Sequence, residues 1–232
     1  MRRRFLSVLT AASALTGIVG ITEAAHAATV TYTTAYDGDY TDIINAPLSI
    51  QKFDSSLGTL DSVTIDFIGD LKGDAGFENR SPQASTVTVD LSGDLKLELA
   101  DGTSVAEFTP RQDYSYDVAK YDGTTDFGGT SGKTVEGLTA SQSDTKTYTD
   151  NTLLQSFTGS GDLDLLFSAT AKSTVSGSGN IASYVTTYAK SNVEVTYDYQ
   201  PRKVPEPSAI LGIGVVAGVG LLVQKNRSLS KA

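Results

Sequence analysis

The chain has 232 residues, with 27 Asp plus Glu against 18 Lys plus Arg, a net charge of −9, and it contains no cysteine, no tryptophan and a single histidine. Without thiols there is no disulfide, no Cys-His dyad and no thiolate metal site. The one histidine, His26, lies in a leader-like segment, so a Ser-His-Asp triad and His-ligated metal chemistry are excluded from the rest of the chain.

Residues 1–27 read as a secretory signal peptide: Arg2, Arg3 and Arg4, an apolar run from Phe5 to Ile21, then Ala25-His26-Ala27 as a small-x-small cleavage site. Cleavage there predicts a mature chain beginning at Ala28. Arg2-Arg3-Arg4-Phe5-Leu6 also resembles the twin-arginine pattern RRxFL, which leaves the general and the twin-arginine export routes both open.

Residues 28–200 have the length of one domain with its own core. Ten Lys or Arg face 25 Asp or Glu within them, a net charge of −15. That balance argues against nucleic acid as a partner, and against an anionic polysaccharide unless a cation bridges it.

The domain reads as β throughout, in Thr, Val, Tyr and Ile-rich runs broken by Gly, Asn, Asp and Ser. A first strand covers Thr29 to Tyr36, and Pro47 to Phe53 is a second, whose Pro47 suits an edge or strand-initiating position. Leu60 to Leu71 alternates, with Val63, Ile65 and Phe67 opposed to Thr64 and Asp66. Thr86 to Leu99 alternates across Gly93, which is either a bend in one strand or a turn between two. Asp101-Gly102 signals a hairpin returning through Phe108. Pro110 to Asp150 has little apolar periodicity and predicts long loops with one or two short strands; a ligand site belongs there if anywhere. Alternation returns from Leu163 toward Val175, a Gly-rich turn follows at Ser176 to Asn180, and Ile181 to Lys190 and Ser191 to Tyr199 complete the domain. The expectation is all-β: eight to ten strands in a two-sheet antiparallel β-sandwich, jelly-roll or immunoglobulin-like.

Residues 201–207 form a linker ending in Val204-Pro205-Glu206-Pro207, a stiff strip that a protease could read. Residues 208–223 carry no charge and would rise about 24 Å as a helix, a short transmembrane span. Residues 224–232 form a basic tail, with Lys225, Arg227 and Lys231, that the positive-inside rule keeps cytoplasmic. Motif, Gly-rich apolar helix and basic tail together resemble a PEP-CTERM sorting signal. The resemblance implies recognition by an exosortase-type protease in the inner membrane, cleavage near the Pro-Glu-Pro, and delivery to the cell surface or extracellular matrix of an exopolysaccharide-producing bacterium.

Phe53 to Val63, the Val-Thr-Val strand at Val87, Phe157-Thr158-Gly159-Ser160-Gly161, the Gly179-Asn180 turn and the strand Val193 to Tyr199 resemble the choice-of-anchor E domain. That family comprises exported β domains carrying one of several interchangeable surface anchors. It supplies no catalytic residues to carry over.

Two constellations remain. Asp37, Asp39 and Asp42, around Gly38, are a candidate calcium cluster, since hard cations take oxygen ligands; Asp113, Asp117, Asp122, Asp126, Asp162 and Asp164 are further acids, and solvated loop carboxylates are the alternative. Tyr114, Tyr116 and Tyr121 are candidate glycan contacts in place of tryptophan, with loop packing as the alternative. The reading is an exported surface or matrix protein with a structural or binding role and no catalysis. The alternative is an exopolysaccharide-binding module; a glycosidase would need only two carboxylates at a fixed separation.

Overall fold

The computed structural model describes residues 27–202. Ala25, the Val204 to Pro207 motif, the apolar segment 208–223 and the basic tail lie outside the described residues. Among the described residues no helix is long and apolar enough to cross a membrane.

The strands are β1 (Ala28–Tyr40), β2 (Ile43–Gln51), β3 (Gly58–Asn79), β4 (Ser85–Leu99), β5 (Ser104–Phe108), β6 (Arg111–Val118), β7 (Gly132–Tyr148), β8 (Asp162–Ala171), β9 (Thr174–Gly177) and β10 (Ile181–Pro201), with one short helix, α1 (Asn151–Ser156). They form two sheets. The front sheet has the order β1-β10-β3-β7, and the back sheet the order β2-β8-β4-β5, with β6 and β9 also paired to β4. On β4 each flank is shared: β5 and then β6 pair with one edge, β8 and then β9 with the other, and every strand pairing is antiparallel.

The two sheets bury facing side chains in a β-sandwich, as period-two alternation demands. On β3, Val63, Ile65, Phe67 and Leu71 are buried, while Thr64 and Asp66 between them are partly exposed. On β4, Val87, Val89, Leu91, Leu95, Leu97 and Leu99 are buried. Gly93 keeps that parity within a single strand. A Cβ there would sit 3.0 Å from the Thr170 carbonyl and 3.4 Å from Leu71, so the bare backbone is what lets β8 and the front sheet close on β4. Phe67 ties the layers together, with its ring centroid 4.8 Å from Phe108 and 6.1 Å from Phe167, both in the back sheet. Each such buried side chain contributes about 1.5–3 kcal/mol.

The structure departs from the sequence reading between Pro110 and Asp150. Instead of long loops, β6 covers eight residues and β7 seventeen. β7 is an outer strand whose backbone ladder with β3 runs from Gly132 to Tyr148, so it needs few apolar side chains. Its pattern is broken by a register shift opposite Asp74, which puts Val135 and Leu138 on one buried face although an unbroken strand would put them on opposite faces. Two smaller differences follow. The segments read as Ile181 to Lys190 and Ser191 to Tyr199 are the single strand β10, and α1 forms where Asp150 accepts hydrogen bonds from the backbone of Thr152 and Leu153 at 2.9 and 3.2 Å. Pro47 sits on β2, an edge strand, but inside it, because the strand already begins at Ile43.

The end of the sandwich that carries Ala28 and Pro201 is closed by aromatics. Phe53 and Phe157 are buried against Tyr197, itself buried, whose hydroxyl donates to the Gln51 carbonyl at 2.9 Å. Burial holds the Tyr197 phenol far above its ordinary value of 10.0. The folded chain therefore keeps a proton that the unfolded chain releases, so stability falls with rising pH once the unfolded phenol begins to ionise. Denaturation midpoints should be insensitive to this group up to about pH 10 and decline above it. Tyr197→Phe should cost about 1–2 kcal/mol at neutral pH and decline less between pH 8 and 11; an equally steep decline in the variant would refute this assignment.

Candidate functional site

The site is built by two irregularities in the front sheet. The pairing of β1 with β10 shifts between Tyr36 and Asp39, leaving Asp37 and Gly38 as a bulge. Gly38 has φ +110°, and a Cβ on it would stand 2.3 Å from the Tyr188 ring. The ring lies directly against this backbone, and its hydroxyl donates to the Asp37 carbonyl at 3.1 Å. Tyr40, the last residue of β1, is the cross-strand partner of Tyr188. Their rings meet edge to face, centroids 5.9 Å apart and planes at 90°.

The second irregularity is the shift in β7. It brings the Gly137 amide to Asp74, where it donates to Oδ1 at 2.8 Å. Between the two bulges, on the outer face of the front sheet, runs an open groove of about 380 Å³ lined by Asp37, Tyr40, Lys72, Asp74, Thr186 and Tyr188, among others. A neighbouring depression of about 320 Å³ shares Tyr40 and Thr186 and passes over Thr41 and Ser173. Both exist because β1 stops at Tyr40 while β10 continues to Ile181 beyond it, leaving a step in the sheet.

The groove presents one exposed aromatic ring, carboxylates and a hydroxyl as acceptors, and ammonium groups as donors. Tyr40 is 66% exposed. Lys190, at the groove's margin, is paired with Asp70 at 3.3 Å. Behind the bulge, burial pushes the Tyr36 phenol up, with Asp39 and Tyr188 adding to the effect. Such a surface can hold a polar, ring-bearing ligand reversibly.

The residues singled out from the sequence fall elsewhere or play other parts. Asp37 lines the groove, but Asp39 accepts from the Tyr40 amide at 2.7 Å and Asp42 from the Ala171 amide at 2.9 Å. Among the described residues no group of three or more acids is gathered as the ligands of a metal ion would be. Asp122 and Asp126 cap their own loop, accepting from the amides of Thr124 and Gly128 at 3.0 Å each; the Thr124 bond leads in holding the Asp122 carboxyl below its usual range.

Tyr114, Tyr116 and Tyr121 are half-buried. The Tyr114 hydroxyl bridges to β7, donating to the Thr139 carbonyl at 2.7 Å and accepting from its amide at 3.0 Å. Tyr116 packs 5.4 Å from Phe77 with the Lys133 ammonium 4.7 Å over its ring, and burial pushes its phenol up, with Tyr114 adding. Tyr121 reaches Thr125 at 3.1 Å. Tyr40, Tyr188, Lys72 and Asp74 were not singled out. The available signal was Asp37-Gly38 interrupting an alternating strand, the mark of a bulge. Ala27, the last residue of the expected leader, is exposed just before β1.

Gly38→Ala should destabilise the protein by about 1–3 kcal/mol, through a left-handed backbone strained by a Cβ and a displaced Tyr188. Thermal unfolding checks this: a variant as stable as the parent would mean the bulge does not depend on glycine.

No protein-family model matches the chain, and no curated protein matches it. Solved structures with local likeness include a chain from the infectious bursal disease virus Gx strain, at 15% identity over 87% of this chain and 52% of that one, with a TM-score of 0.14. A chain from infectious bursal virus derived T=1 particles is 12% identical over 81% of this chain and 41% of that one, with a TM-score of 0.16. This chain thus spans about half the length of the solved chains it matches. At such scores the likeness carries no argument about fold or function.

Proposed function

We propose that the protein is an exported, exosortase-sorted β-sandwich of the cell surface or extracellular matrix, with a structural or binding role and no catalysis. The observation that carries this reading is the position of the domain's two ends. Ala28 and Tyr199 are cross-strand partners in adjacent strands, so the domain is entered and left at one end of the sandwich. Tyr188 lies eleven residues along β10 from Tyr199, which places the groove about 37 Å from that end. A segment following Pro201 that tethers or sorts the chain would leave the groove directed away from the attachment. The Val204-Pro205-Glu206-Pro207 motif, the uncharged run 208–223 and the basic tail support such a sorting segment, and the leader-like residues 1–27 support export.

We read the sandwich as a jelly roll rather than an immunoglobulin-like fold. One sheet holds β1, β10, β3 and β7, and the other holds β2, β8 with β9, β4, and β5 with β6, so first and last strands are neighbours. That arrangement fits two Greek keys over eight strand positions, whereas an immunoglobulin domain places its first and last strands in different sheets. Choice-of-anchor E membership is compatible with this and rests on the resemblance of the strings quoted above. A carbohydrate-binding role is the second reading, favoured by the exposed Tyr40 ring in an open polar groove.

The test is intact mass and location of the native protein in cells with and without exosortase activity. A mass ending near Val204, found outside the inner membrane only when the protease is present, is the expected result. A chain ending at Ala232 in both strains would overturn the sorting assignment.

A further inference from the structure

We infer that the groove between the two bulges is a subsite for a neutral, pyranose-based polysaccharide chain, with Tyr40 as its stacking platform. This inference deepens the surface-protein reading and rests on it for the class of ligand the domain would meet.

Three features point to this ligand class. The first is the ring of Tyr40. A residue 66% exposed at the end of a strand would ordinarily be a free tyrosine, but here its orientation is set by the perpendicular Tyr188 ring. Tyr188 is itself seated on Gly38 and tied to the Asp37 carbonyl. The bulge, the close glycine contact and the hydrogen bond thus combine to hold one aromatic face open to solvent. An aromatic face takes up the C–H side of a pyranose ring, and fixing it beforehand removes the entropy cost of ordering it on binding.

The second is the polar surround. Asp37, Asp74 and Thr186 supply acceptors and Lys72 supplies donors at the same groove. Sugar hydroxyls are donors and acceptors at once, so adjacent hydroxyls can donate to a carboxylate while others accept from an ammonium group. Asp74 is held by the Gly137 amide through Oδ1. Its position is therefore defined by the second bulge.

The third is charge and shape. Two carboxylates, Asp37 and Asp74, share the groove with Lys72, and Lys190 is already engaged by Asp70, so the groove offers no surplus of positive charge for a uronate, sulfate or phosphate polymer. The domain's net charge of −15 over residues 28–200 opposes the same polymers. Tyr40, Tyr188 and Lys72 stand in register on three successive strands, a row of about 10 Å. The row continues into the depression over Thr41 and Ser173, so the site is an open track that a chain can cross rather than an enclosed pocket for one sugar.

The experiment is affinity electrophoresis of the purified full-length chain in gels containing hydroxyethyl cellulose, mixed-linkage β-glucan, galactomannan or dextran as neutral probes, with alginate as the anionic one. Retardation by at least one neutral polymer is expected, with affinity falling about tenfold or more in Tyr40→Ala and severalfold in Asp74→Asn. Tyr40→Phe should keep the binding, since it retains the ring, and Tyr114→Ala with Tyr116→Ala should keep it too. Thermal midpoints equal to the parent's would show that the Tyr40 variants are folded. Three results would each overturn the inference: Tyr40→Ala retarded as strongly as the parent, Tyr40→Phe as weak as Tyr40→Ala, or retardation by alginate alone or by no probe. None of these would alter the mass and location result, so loss of the glycan site and loss of the sorting assignment remain separable.

Discussion

The antiparallel ladder from Ile181 opposite Asn79 to Pro201 opposite Gly58, shifted once between Asp198 and Tyr199, commits each side chain of β3 and β10 to one face or the other of the front sheet. A slip of one residue would turn Val193, Val195 and Tyr197 out to solvent, although all three are fully buried in this register. With this pair in place, β1 can add only beside β10 and β7 only beside β3, each bringing its own short stretch of apolar residues. The back sheet is organised in the same manner around β4, whose two halves are flanked by four shorter strands. The two long inner ladders therefore carry the core, and the outer strands are free to be polar.

The groove arises where that regularity stops. A bulge in β1 and a register shift in β7 fall on opposite flanks of the central pair, and both end at the groove. Each bulge re-aims groups that an unbroken ladder would have kept in alternation: one seats Tyr188 on Gly38, the other brings the Gly137 amide to Asp74. The core and the site thus depend on the same ladders, the first on their continuity and the second on two local breaks. This also explains why the groove lies on the outer face, where a side chain can be redirected without opening a cavity in the interior.

At the end far from Ala28, order is maintained by polar groups, in a chain without disulfides. Asn79 is fully buried; its side-chain amide donates to the carbonyls of Gln83 and Ala119 at 2.7 and 2.8 Å and its oxygen accepts from the Ser81 amide at 3.0 Å. Its neighbour Glu78, also buried, accepts from the Ser131 hydroxyl. These contacts bind the segment between β6 and β7 to β3, and Phe127 in that segment packs 5.1 Å from Tyr184. Hydrogen bonds at buried positions carry more weight than their modest net energy suggests, because breaking one strands its partner. The polar network and the aromatic cluster at the other end play the part that cross-links serve in many disulfide-bonded domains.

The class of fold and most of the strands are legible in the amino-acid order, because burial of one face writes a period of two into β3, β4 and β10 wherever the ladder is unbroken. Composition also limits the chemistry of the domain, since an absent cysteine or histidine cannot be supplied by folding. Val63, Ile65 and Phe67 were legible as core for this reason, as was the hairpin at Asp101-Gly102. β7 was not, because its register comes from β3 and its shift scrambles the alternation that the sequence would otherwise display. The groove was not legible either: Tyr40 and Tyr188 are far apart in the chain and become neighbours only through the pairing of β1 with β10. Tyr114 and Tyr116, which composition alone made attractive, are drawn into packing by Phe77, Thr139 and Lys133. Periodicity is a local property that a sequence records directly, whereas a site between strands depends on register, and register is decided only when the sheets assemble.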